Sequence, residues 1–171
     1  MVCAVDGENM RWLICGGRDF GHLPENVNPG KPLSNGAYSG VNWDHPDIDK
    51  KNRERIFIYA TLDKLAFDLG LYCYYERQPM MPDNITVMSG AAKGVDTVAI
   101  DWAIVNWLPF EEYPADWNKY GKRAGYIRNK QMLTEGQPDL VIAFPGGRGT
   151  AMMVKLAHDA SVPVREFTYD K

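Results

Sequence analysis

Three short stretches concentrate residue types suited to holding an anion. "AFPGGRGT" ends an apolar run at Phe144 and sets Pro145, Gly146, Gly147, Arg148, Gly149 and Thr150 just before a helical pattern, "AMMVKLAHDA". A glycine-rich turn that feeds a helix lets a ligand approach the backbone. It also leaves N–H groups at the positive end of the helix dipole, where phosphate is favoured. Thr150 is expected to cap this helix, with its hydroxyl in reach of a phosphate oxygen. "ICGGRDF" adds Gly16, Gly17 and Arg18, and "VMSGAAKGVD" adds Ser89, Gly90, Lys93 and Asp96. Asp96 suits ribose hydroxyls; in a first helical turn it also suits plain dipole complementation. Arg128 and Asn129, within "GYIRNKQML", supply a further cation and amide. No G-x-x-x-x-G-K-[ST] occurs, because "GGRGT" lacks the lysine, and no G-x-G-x-x-G follows a strand.

Other chemistries find less support. His22, His45 and His158 show no ligand spacing, so no metal is expected. Cys3, Cys15 and Cys73 are odd in number and widely spaced, which fits reduced thiols and not a disulfide or zinc framework. Lys119, Lys122 and Arg123 read as a solvated face, Trp102 and Trp107 as core or surface packing and not a base-stacking platform, and Trp117 as a neighbour of the site. With 45% hydrophobic and 24% charged residues the composition is that of an ordinary globular protein. A net charge of −3 argues against broad nucleic-acid binding while allowing one local basic pocket. "MVCAVDGENMRW" is not a signal peptide and no apolar run reaches membrane-span length, so no membrane association and a cytoplasmic location are expected.

The elements that must hold these residues follow from periodicity. "RWLIC", "NITVMSG", "PFEEYPA", "DLVIAF" and "PVREF" read as strands; "LYCYYE" is either a short strand or a path around the sheet edge. Helices are expected over "DIDKKNRERIFIYATLDKLAFDLG", with Ile56, Tyr59, Leu62, Ala66 and Leu69 on its apolar face, Asp47 or Asp49 at its start and Gly70 at its end. Further helices are expected over "KGVDTVAIDWAIVNW", from near Lys122, and over "TAMMVKLAHDA". The continuous apolar strands alternating with helices predict a Rossmann-like, doubly wound α/β fold, its sheet mostly parallel with helices on both faces. All 171 residues are expected to form one domain, with an irregular insertion loop at about 21–48 whose Tyr38 and Trp43 suit a lid over a base. In such a fold ligands bind at the carboxyl ends of the strands, and all three glycine-rich turns fall there.

"CGGRDF", "SGAAKGVDTVAIDWA", "DWNKYGKRAGYIRNKQML" and "DLVIAFPGGRGTAMMVKLA", in this order, resemble the YspA-like family of the SLOG superfamily. These are small Rossmann-like proteins frequent in phage and bacterial genomes. They are related to the Lonely guy phosphoribohydrolases and to the Rossmann-like domain of DprA. The long loop after the first motif departs from the family. The resemblance implies a nucleotide or nucleotide-derived ligand, either sensed or cleaved, and calls for no cofactor. It assigns phosphate binding to Pro145, Gly146, Gly147, Gly149 and Thr150, with Arg128 in the place of the phosphoribohydrolase arginine. The catalytic glutamate of those enzymes is replaced by Met153, which is expected on the site's floor or against a neighbouring subunit of a homo-oligomer. The alternatives are an N-glycosidic hydrolase using Asp96 or Asp19 and, against the acidic net charge, a DprA-like DNA-handling protein.

Overall fold

A computed structural model describes residues 2–3, 9–23, 48–75 and 78–169. Most of the expected insertion loop, including Tyr38, Trp43, His45 and Asp47, lies outside the described residues. The described strands are β1 (Val2–Cys3), β2 (Met10–Cys15), β3 (Tyr72–Tyr75), β4 (Gln78–Pro82), β5 (Ile85–Ser89), β6 (Phe110–Glu112), β7 (Leu140–Ala143) and β8 (Val164–Glu166). The helices are α1 (Ile48–Asp68), α2 (Val95–Val105), α3 (Trp117–Tyr120), α4 (Ala124–Thr134) and α5 (Arg148–Asp159).

Five strands form one all-parallel sheet in the order β6-β5-β2-β7-β8. Counted within this sheet the order is 3-2-1-4-5, the Rossmann arrangement, whose winding direction reverses between β2 and β7. Strand pleating divides the core. Trp12 and Ile14 of β2 face one helical layer with Ile58, Leu62, Val98 and Trp102 of α1 and α2. Leu13 and Cys15 face the other, with Met132 of α4 and Met153 and Ala157 of α5. Helices therefore cover both faces, which is why these strands lack polar alternation. Trp12 and Trp102 stack nearly parallel, 6.1 Å between centroids, and tie α2 to the sheet.

The helix α1 departs from its expected apolar face. Tyr59, Leu62 and Ala66 are buried, but Ile56 and Leu69 are exposed, and Ile58 is buried in their stead. The N-terminal half of α1 buries polar groups. The Arg55 guanidinium pairs with Asp101 of α2 at 2.7 Å and donates to the Gly21 carbonyl at 3.3 Å. The Gly21 amide donates to Glu54 at 2.8 Å. These bonds anchor the chain as it leaves β2. Asp49 lies in the first turn of α1. Gly70 ends the helix as expected: at φ +72° it lets Leu71 N donate to Ala66 O (2.8 Å) and Gly70 N to Phe67 O (3.0 Å), a Schellman closure.

The stretch "LYCYYE" settles as β3, outside the main sheet, in a small antiparallel sheet of order β1-β3-β4 whose register sets Cys3 opposite Cys73. Helix α4 begins at Ala124, two residues later than expected, because Gly121–Arg123 form a 3₁₀ turn. No helix among the described residues is long and apolar enough to cross a membrane.

Candidate functional site

At the reversal point the loops after β2 and β7 are bonded to each other. Phe144 N donates to Cys15 O (2.9 Å) and Gly17 N donates to Pro145 O (2.9 Å). Val95 N, at the start of α2, donates to Gly17 O (3.2 Å), which ties in the loop after β5. A cleft of about 710 Å³ opens over this junction, a volume within the range of small-molecule sites. Gly16, Gly17, Arg18, Gly90, Asp96, Arg128, Asn129, Pro145, Gly146, Gly147, Gly149 and Thr150 all line it, so the structure gathers most of the expected site residues.

The glycines divide into two groups. A Cβ on Gly16 would run into Val95, one on Gly17 would sit 2.9 Å from Pro145 O, and one on Gly146 would meet Thr150 and, at 2.8 Å, Gly17 N. Gly94, at φ +82°, would drive a Cβ into the Gly17 and Arg18 carbonyls. These glycines let protein loops approach one another. Gly147 and Gly149 differ, since a Cβ on either would meet nothing within 4 Å. Gly147 is extended (φ −103°, ψ −151°), so its backbone needs no glycine either. The open space lies where α5 begins. Gly147 is the cap residue of α5 and no side chain caps this end. The expected Thr150 cap is thus corrected: α5 starts at Arg148, which puts Thr150 inside the first turn, too late to cap.

The cleft also holds a buried ion pair. Arg128 Nη1 lies 3.7 Å from Asp96 Oδ2, with both side chains largely buried. The same nitrogen donates to Gly90 O. Arg128 Nε donates to Asn129 Oδ1 at 2.9 Å, and the Asn129 amide reaches the Gly149 carbonyl at 3.5 Å, so Asn129 links the arginine to the first turn of α5. Burial pushes the Asp96 carboxyl up to about 6, although Arg128, the Ala92 amide at 3.1 Å and Arg18 all pull the other way. Burial likewise lowers the Arg128 guanidinium below its ordinary value, against the pull of Asp96. Cys15 is buried on the same floor, its thiol pushed up to about 12 mainly by burial and then by Asp96, which leaves it a packing group.

Two expected ligand contacts stand apart. Ser89 is fully buried; its hydroxyl donates to Asp96 O (3.2 Å) and accepts from Ala91 N (3.3 Å), so it shapes the turn that carries Asp96. Lys93 is exposed and outside the cleft lining. Conversely Lys50, Lys51, Glu54, Lys122 and Tyr126 line the cleft unanticipated. For Lys50 and Lys51 a signal existed: a helix that follows a parallel strand starts at that strand's carboxyl edge. Met153 is 1% exposed, packed on the cleft floor as expected.

Fold and site together define a Rossmann-like α/β protein with a cleft at its winding reversal. The chain belongs to the YspA, cpYpsA-related SLOG family, whose model matches residues 10–120. It is also 38% identical over 94 residues to the gene 61 protein of Mycobacterium phage D29, an alignment spanning 50% of this chain and 74% of that protein. No solved structure gives a significant match. The family match covers the loops after β2 and β5; Arg128, Asn129 and the glycine-rich turn at 145–150 lie beyond it.

Proposed function

We propose that this protein binds a nucleotide or nucleotide-derived ligand, in a sensing or sequestering role. Phosphate would sit on Gly146, Gly147, Gly149 and Thr150, with Arg128 and Arg18 beside it, and ribose would lie toward Gly90 and Asp96. The observation that carries the reading is the pair Gly147 and Gly149. Neither backbone conformation nor protein packing calls for glycine at Gly147, packing calls for none at Gly149, and the space their side chains would fill adjoins an uncapped helix N-terminus. Membership in a SLOG family supports a nucleotide-related ligand. Thermal-shift screening of nucleotides, with matching nucleosides as controls, tests it. A ligand at about 100 times its dissociation constant stabilises by roughly 2.7 kcal/mol. Equal shifts for nucleotides and nucleosides would count against a phosphate site.

One observation favours a second reading, hydrolysis of an N-glycosidic bond. Asp96 is a buried cleft carboxyl held near neutrality beside an arginine, the setting of a proton-transferring group. Chromatography distinguishes the two: an enzyme releases free base, whereas a binding protein returns its ligand intact.

A further inference from the structure

Trp117 is a large side chain left 49% exposed on the rim of a concave cleft. Its backbone is held by a helix cap and its ring lies against α4. Asp116 caps α3 by accepting from Lys119 N at 2.8 Å, and a Cβ on Gly125 of α4 would lie 3.6 Å from the indole. The Arg18 guanidinium covers the ring, 5.6 Å from its centroid. That spacing is a cation–π contact. It leaves no room for a third planar group, since a ring held between two others needs about 7–8 Å between its neighbours. Arg18 also stands close enough to Asp96 and Arg128 for its charge to act on both.

We propose that Trp117 is the stacking platform for a planar heteroaromatic base, and that the base displaces Arg18 from the indole and releases it toward the ligand's phosphate. The proposal deepens the phosphate reading above and rests on it. An indole presents a flat apolar surface at the cost of only two torsions, and every nucleobase offers a matching face. Arg18 is the exchangeable cover. Base and phosphate recognition are thereby coupled, so a sugar phosphate without a base leaves Arg18 on Trp117 and gains nothing from it.

Isothermal titration with the four ribonucleoside 5′-monophosphates, their nucleosides and ribose 5-phosphate tests both halves. At least one monophosphate should bind wild type about tenfold or more tightly than ribose 5-phosphate, the scale of one stacked base. Trp117→Ala should bring that monophosphate down to the level of ribose 5-phosphate without weakening ribose 5-phosphate itself, and Trp117→Phe should keep most of the preference. Arg18→Ala should reduce the preference for the monophosphate over its nucleoside while leaving nucleoside affinity intact or tighter, since no cation then has to be displaced from the indole. An unchanged monophosphate-to-ribose-5-phosphate ratio in Trp117→Ala overturns the platform, as does the absence of any such preference in wild type. Equal losses for nucleotide and nucleoside in Arg18→Ala overturn the exchange. If neither monophosphates nor ribose 5-phosphate bind, the phosphate reading itself falls, a result distinct from the other three.

Discussion

Gly90 and Arg128 fit together because Gly90 has no side chain. The guanidinium lies where a Cβ on Gly90 would project, and donates to the Gly90 carbonyl. Gly90→Ala should leave the fold intact, since the clash is with the movable end of a side chain, and circular dichroism should match wild type. Arg128 would be pushed off its seat between Gly90 and Asp96. Binding of a phosphorylated ligand should weaken by on the order of 1.5–3 kcal/mol, the value of a charge-assisted contact, measured by titration calorimetry. Wild-type affinity in folded Gly90→Ala would remove Arg128 from the site.

Asp96 gives stability a pH dependence of defined sign. Its folded value of about 6 lies above the roughly 3.9 of an unfolded aspartate, so the native state holds this proton more tightly. Its contribution is therefore present in full at acid pH and is lost as pH rises through about 6. Asp96→Asn removes that loss. Relative to wild type, the variant should gain about 2 kcal/mol between pH 4.5 and 7, read from urea unfolding at the two values. The same pH dependence in both proteins would show that Asp96 is not held protonated by burial.

The contrast between adjacent glycines separates packing from binding. Gly146→Ala should destabilise the protein, because the new Cβ meets Thr150 and the Gly17 amide. Gly147→Val should fold, because nothing stands within 4 Å and the backbone is extended, yet a branched side chain there would fill the cradle. The expected pattern is a lowered melting temperature for the first, and an unchanged melting temperature with lost ligand affinity for the second. Undiminished affinity in Gly147→Val would sink the cradle.

The central strands were legible because β2, β5 and β7 are buried on both faces and so read as unbroken apolar runs. The glycine turns were legible because their chemistry is local. What escaped depends on tertiary partners. Ile56 misled because the buried side of α1 is part polar, with Asn52, Glu54 and Arg55 inside, and Arg55 satisfied by Asp101 from α2. Strand β4 was missed because Pro79 and Pro82 argue against a strand, yet it is an edge strand of its small sheet, where proline is tolerated. Ser89 misled in another way. Its place beside Gly90 suggests a ligand contact, but the carbonyl it serves is that of Asp96.

Met153, where the sequence resemblance would set the phosphoribohydrolase glutamate, is 1% exposed, packed with Leu13, Cys15, Met88, Met132 and Val141. Met153→Glu introduces a carboxylate without the polar surroundings such a group needs. Burying it among these side chains should cost on the order of 2–4 kcal/mol, or force the group to stay protonated. Either outcome withholds a carboxylate from the cleft, so no base should be released from nucleoside monophosphates at pH 7. Urea unfolding reads the first effect and chromatography the second. Base release by a stable Met153→Glu protein would show that a single side chain separates this cleft from a hydrolase, and that the floor around Cys15 and Met132 accepts a charge.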